Sequence, residues 1–299
     1  LQAGIDFIGQ QIEHGTLEHS SHGAFSFNSL LSALMRDGRE TEQDVLKGGA
    51  RYTIWTVMAE AFGYAVASWA ASKKLVYDDR TMTVQELLDA LKANWEGYGS
   101  LRQTVLNRMP KYANDDDYAD EIGRRLLRTF IDRTHHYAKR WAPATLFVPT
   151  VGTFSWYQSI GYELGASPDG RFAHDAVTSN MSPVYGADHS GLPAAINSAV
   201  KMYGSELPGG APVDLRASKS AFVGQSGTDR LVALIQAFIA LGGNMMTLTV
   251  TDAEELRAAM REPEKHRHLR VRMGGWTAYF CQLGREQQEL QLKRAIHGG

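Results

Sequence analysis

The sequence predicts an α/β protein, and three observations carry that expectation. Short β-branched or alternating runs take turns with amphipathic helical runs along the whole chain. Capping-box and turn residues fall between those runs. The 299 residues are 43% hydrophobic and 21% charged, enough for one large core or two ordinary ones.

Taken in order, "SFNSLLSALMRD" (26–37) has helical spacing and is expected to close at Gly38. "GGARYTIWTVM" (48–58) reads as a glycine-led strand, and an alanine-rich helix follows over about 60–74. Thr83 and Glu86 form a capping box that opens "VQELLDALKANW". Residues 118–141 carry apolar side chains at helical intervals, and "ATLFVP" (144–149) is a buried strand. "SPDGR" (167–171) is a turn with Pro and Gly where turn chemistry wants them. A helix is predicted near 192–202, a strand at 213–217, a helix at 228–241 and a strand at 244–250. Thr251 and Glu254 read as a second capping box, for "AEELRAAMRE". The strand "HLRVRM" then leads into a glycine pair, and "REQQELQLKRAI" is a closing helix.

Bulk properties exclude several function classes. A formal net charge of −2 gives no electrostatic case for nucleic acid or an anionic membrane. No apolar run is long enough to span a bilayer. The start, "LQAGIDFIGQQIEHG", has no basic n-region and no signal-like apolar stretch. The single cysteine, Cys281, cannot form an internal disulfide, so the cytoplasm is the expected compartment.

Each candidate for chemistry also has a plain structural reading. His14, His19 and His22 could ligate a metal, but no carboxylate or cysteine completes a recognisable set, and a polar loop is expected. His266 and His268 are expected in a solvated loop. Asp115, Asp116 and Asp117 could hold a divalent cation, but they suit a helix N-terminus better. No P-loop, dinucleotide glycine loop or nucleophile elbow is present. Cys281, beside Phe280, is expected to be a packed thiol. Trp55 and Trp156, on or just after predicted strands, are expected in the core more often than in a pocket. No metal site is expected.

The pair Gly274–Gly275 in "RVRMGGWTAYF" (270–280) can be read as a bulge or hairpin tip. Its surroundings support more. "RMGGWTAYF" resembles the C-terminal signature of the glycyl radical enzymes, the pyruvate formate-lyase-like superfamily. That signature is Arg, an apolar residue, a small residue, Gly, an aromatic, three residues, then Phe. Arg272, Met273, Gly274, Gly275, Trp276 and Phe280 fill those places, with Trp276 a departure from the usual Tyr or Phe. "GGARYT" (48–53), the Pro-Lys-Tyr region at 110–117, "GTFSWYQSIGYELGASPDGR" and "LGGNMMTLTVTDAEELRAAM" resemble further family segments in the same order.

The resemblance implies half of a ten-stranded α/β barrel, with residues 1–240 as its C-terminal part. Residues 241–299 would be a glycyl radical domain whose loop inserts into the barrel. It makes Gly275 the radical carrier and Arg272, Gly274, Trp276 and Phe280 its supports. A radical on a backbone α-carbon is stabilised when that carbon is flat between two peptide groups, and a side chain would crowd it. Glycine alone avoids this.

The resemblance further implies that no cofactor is bound. By the same resemblance, a radical S-adenosylmethionine activating enzyme with an iron–sulfur cluster would form the radical at Gly275; this chain has no cysteine set to bind that cluster itself. It implies that the thiyl cysteine lies on a partner subunit or segment, in a hetero-oligomer, since Cys281 is six residues from Gly275 on the same strand. The substrate would be a small organic molecule, with Phe154, Trp156 and Trp55 making a bulky aromatic wall and no Arg or Lys in the 152–159 loop. A spare-part protein or an inactive scaffold is the alternative. A half barrel would also leave apolar faces open, so isolated stability is expected to be poor.

Overall fold

The structure, a computed structural model, describes residues 6, 10, 27–139, 145–154, 156–202, 206–273 and 275–296. Strands and helices alternate through those residues. Two compact units emerge, residues 1–57 with 127–150 and residues 58–126 with 151–299.

The first unit begins with α1 (Ser29–Leu34) and α2 (Arg36–Thr41), not with the one helix expected. Met35 breaks it, with an extended backbone at φ −80° and ψ 135°. Gly38 lies inside α2 and does not close a helix. It is buried, and a Cβ there would stand 2.5 Å from the Ser32 carbonyl oxygen, so the second helix needs glycine to fold back on the first. The expected glycine-led strand is β1 (Thr53–Ala59), which pairs with β2 (Thr145–Val151).

In the second unit, α3 (Phe62–Ser72) buries Val66, Ala67, Ala70 and Ala71, the small residues read from its alanine content. α4 (Val84–Lys92) starts at the Thr83–Glu86 capping box, with both reciprocal hydrogen bonds made. α5 (Gly99–Arg108) follows; its low amphipathicity hid it from the sequence reading. α6 (Asp117–Ala138) matches the long helix expected, although its second half belongs to the first unit. The 167–171 turn closes with Gly170 N–H donating to the Ser167 carbonyl at 3.0 Å.

α7 (Tyr157–Glu163) and α8 (Gly191–Val200) lead to β3 (Pro212–Ala217). Through α9 (Gly224–Ala240) the chain returns to β4 (Met245–Val250), which pairs parallel to β3 from Pro212↔Met245 to Ala217↔Val250. A helix between two parallel strands is a crossover unit, in keeping with the strand–helix–strand order and the α/β class the sequence predicted. α10 (Ala253–Arg261) follows, then the antiparallel pair β5 (Arg270–Arg272) and β6 (Thr277–Tyr279), and then α11 (Arg285–Ile296).

The second capping box does not form. α10 is capped from Asp252, without a side-chain cap bond. Thr251 N–H instead continues the strand, donating to the Ala217 carbonyl at 3.3 Å, and its hydroxyl is buried without a partner among the described residues.

Candidate functional site

Gly275 sits at the turn of the β5–β6 hairpin, where the simpler reading had a hairpin tip. The register Arg270↔Tyr279, Val271↔Ala278, Arg272↔Thr277 sorts the side chains onto two faces. Val271, Met273, Ala278 and Phe280 are buried together with Tyr157, Val177, Leu256, Ala259 and Leu290. On the other face the Arg270 guanidinium lies 5.2 Å from the Tyr279 ring centroid, and Arg272 Nη1 donates to Thr277 Oγ1 at 3.3 Å. Met273 N–H donates to the Trp276 carbonyl at 2.8 Å and closes the turn.

Gly275 has φ +95°, a conformation that favours glycine. Within this chain it is exposed, so the alternation buries the strands beneath it and not the glycine itself. A Cβ built on Gly275 would meet, among the described residues beyond its chain neighbours, only the Phe154 ring, at 3.9 Å. Phe154 follows β2, has φ +47°, and stacks edge-on to Trp156 with ring centroids 6.1 Å apart. The structure therefore brings Gly275, Phe154 and Trp156 to one place. Trp276 is 48% exposed and Trp156 57%, so the core reading of Trp156 is corrected: it stands at the start of α7, on the loop and not in the strand. Trp55 is half-buried on β1 in the first unit. Arg272 is half-buried, and its Nε is enclosed without a partner among the described residues. Gly274 lies outside the described residues.

Two polar groups hold this assembly from below, and sequence reading missed both. Thr153 N–H donates to Asn180 Oδ1 at 3.1 Å, and Asn180 N–H donates back to Thr153 Oγ1 at 3.0 Å. Asn180 Nδ2 donates at 2.8 Å to Asp214 on β3. Under the hairpin, Gln291 of α11 donates to Met273 Sδ at 3.1 Å and accepts from Arg216. Burial, and the Arg294 charge beside it, bring the Arg216 guanidinium down to about 9. The only signal in the sequence was a polar residue where an α/β strand is normally apolar, Asp214 in "PVDLRA".

The other candidates resolve simply. Cys281 is on a short 3-10 turn, not a strand, and its thiol donates to the His266 carbonyl at 3.3 Å; burial raises its pKa. It is a packed thiol facing α10. Asp117 opens α6, and Lys201 reaches Asp115, Asp117 and Asp120 at 2.7, 2.8 and 2.9 Å. An ammonium thus occupies the place a cation would take. His266 is half-buried and His268 exposed; His14, His19 and His22 lie outside the described residues. Among the described residues no group of His, Cys, Asp or Glu is placed to hold a metal ion, and no helix is long and apolar enough to cross a membrane.

Comparison with known proteins fits this geometry. The pyruvate formate lyase-like family model matches residues 6–158, and the glycine radical model matches residues 177–281, a span that includes the hairpin. Isethionate sulfite-lyase of Bilophila wadsworthia is 34% identical over 97% of this chain and 35% of its own length. The crystal structure of hydroxyproline dehydratase from Clostridioides difficile, with trans-4-hydroxy-L-proline bound, superposes with a TM-score of 0.82 at 31% identity, over 89% of this chain and 33% of that one. A glycyl radical enzyme from Archaeoglobus fulgidus gives a TM-score of 0.86 at 29% identity, over 97% of this chain and 37% of that one. The chain spans about a third of the length of the curated relatives it matches. Fold and hairpin together define an α/β protein of the glycyl radical enzyme type. Within that class, the chain belongs to the pyruvate formate lyase-like family.

Proposed function

We propose that this chain is the radical-bearing part of a glycyl radical lyase or dehydratase, with the unpaired electron stored on Gly275. The observation that carries the reading is a glycine at φ +95° on a hairpin tip, inside the span that matches the glycine radical model. Gly274 and Trp276 flank it, Arg272 and Phe280 hold the strands, and Phe154 and Trp156 supply an apolar wall for a small organic substrate. Residues 1–240 act as the barrel portion and 241–299 as the radical domain, in a cytoplasmic hetero-oligomer.

The chemistry runs by hydrogen-atom transfer. A radical S-adenosylmethionine activating enzyme removes one hydrogen atom from the Gly275 α-carbon. A cysteine thiol outside this chain then gives its hydrogen atom back to that carbon and becomes a thiyl radical. The thiyl radical takes a hydrogen atom from a substrate C–H bond, and the substrate radical expels or cleaves a neighbouring group. The product radical recovers the hydrogen atom from the thiol. This chain's own contribution is to place Gly275 and to set the Phe154 ring beside it. Two relatives act in related ways by their names, one as a sulfite-lyase and one as a dehydratase.

Anaerobic activation in the presence of the cysteine-bearing segment should give an electron paramagnetic resonance doublet that Gly275→Ala abolishes. A doublet that survives Gly275→Ala moves the radical elsewhere. No doublet in the unmutated protein, with a competent activating enzyme, supports the spare-part or scaffold alternative.

A further inference from the structure

The loop that carries Phe154 is moored by one side chain that plays no part in the chemistry above. Thr153 and Asn180 are both buried, and they exchange two hydrogen bonds, at 3.1 and 3.0 Å. The far end of the Asn180 amide donates to Asp214 Oδ2, whose carboxylate also accepts from Ser179 at 2.9 Å and from Thr247 at 2.6 Å. Asn180 stands at φ +52° and Phe154 at φ +47°, two non-glycine residues in the left-handed region, held there by their surroundings. The chain of contacts runs from the β3–β4 sheet through Asp214, Asn180 and Thr153 to the ring beside Gly275.

We propose that Asn180 is a positioning residue: through Thr153 it holds the Phe154 ring against the α-carbon of Gly275 and so shields a radical stored there. This rests on the reading of Gly275 as the radical carrier. The amide meets both demands of this position. It must accept from the Thr153 N–H and donate to the Asp214 carboxylate at once. An aspartate would set two carboxylates against each other. Asn is also one of the few side chains that tolerate the left-handed backbone, so Asn180→Gly removes the side chain while keeping that conformation available.

The test uses the activated protein with its cysteine-bearing segment, and measures radical lifetime at a fixed low oxygen level. Phe154→Ala should shorten the lifetime, and Asn180→Gly should shorten it by up to about tenfold, the equivalent of losing one hydrogen bond to a charged group. The double variant should decay no faster than Phe154→Ala alone, because both act through one ring. A merely structural Asn180 would lower the melting temperature but would add its effect to that of Phe154→Ala.

The unactivated protein offers a second readout. Asn180→Gly should raise acrylamide quenching of Trp156, taken as the difference from Trp156→Phe, as Phe154→Ala does. Thr153→Val breaks the same link more gently and serves if Asn180→Gly does not fold. An unchanged lifetime in folded Asn180→Gly, additive effects, or unchanged quenching overturns the proposal. Survival of the doublet in Gly275→Ala overturns the underlying reading instead, and quenching still reports whether Asn180 places Phe154.

Discussion

At Gly275 the backbone and the space around it make different demands, and their difference is measurable. The φ of +95° penalises any side chain, but among the described residues beyond its chain neighbours a Cβ would find only the Phe154 ring, at 3.9 Å. Gly275→Ala should therefore fold, at a cost of about 1 kcal/mol for the left-handed backbone. Met273 is different: it is buried in the cluster under the hairpin and accepts from Gln291, so Met273→Ala should cost about 3 kcal/mol. Urea unfolding of the two variants separates these values, and a loss of about 3 kcal/mol in Gly275→Ala would show that the tip is packed more tightly than its surroundings indicate. The alternation of Val271, Met273, Ala278 and Phe280 was readable, because a strand's period of two assigns its faces locally. Asn180 was not readable, because its partners Thr153 and Asp214 lie 27 and 34 residues away and nothing local marks them.

The same contrast runs through the helix termini. Thr83 and Thr251 both precede a Glu by three residues, and the sequence makes them equivalent. Thr83 lies free at a helix entry and forms the full box. Thr251 is claimed by the β3–β4 ladder, so its hydroxyl is buried unpaired among the described residues, and Asp252 stands at the N-cap position without a side-chain cap bond. Thr83→Ala should lower stability by about 1 kcal/mol. Thr251→Val, which removes a stranded hydroxyl and keeps the shape, should be neutral or stabilising. Equal losses in thermal unfolding would contradict this assignment of the caps.

The N-terminus of α6 adds a pH dependence. Lys201 faces three carboxylates; burial lowers its pKa, but the hydrogen bonds it donates to Asp115, Asp117 and Asp120 outweigh this and raise it. A raised lysine keeps its contribution at every pH below its ordinary value, about 10.4, so it is constant through neutral pH. Lys201 and Asn197 lower the Asp115 pKa, so that group contributes above about pH 4 and loses its contribution as the pH falls through its lower folded value. Lys201→Met strands these charges, among them the buried Asp120, and should cost about 3 kcal/mol at pH 7. The deficit should shrink toward pH 4 as the carboxylates take up protons. A deficit independent of pH would mean that the lysine's alkyl chain, and not its charge, supports the helix.

At the scale of the whole molecule, the order of strands and helices was legible because periodicity and turn chemistry are local. Which apolar face finds cover is a long-range property, and it was not. α9 shows this most clearly. Val232, Ile235 and Ile239 recur at intervals of three and four, which places them on one side of the helix, and all three are exposed, Ile239 at 67%. Val223 just before the helix and Leu241 just after it are exposed as well. An apolar row of that length has no partner among the described residues, and such rows drive association in water. The 299-residue chain expressed by itself should therefore self-associate at micromolar concentration and enhance the fluorescence of an apolar dye. A Val232→Lys and Ile239→Lys double variant should reduce both effects without loss of helical signal, because each site already faces solvent. Light scattering that shows a dye-silent monomer for the unmutated chain would mean that this face is tolerated in water and that the exposed row does not drive association.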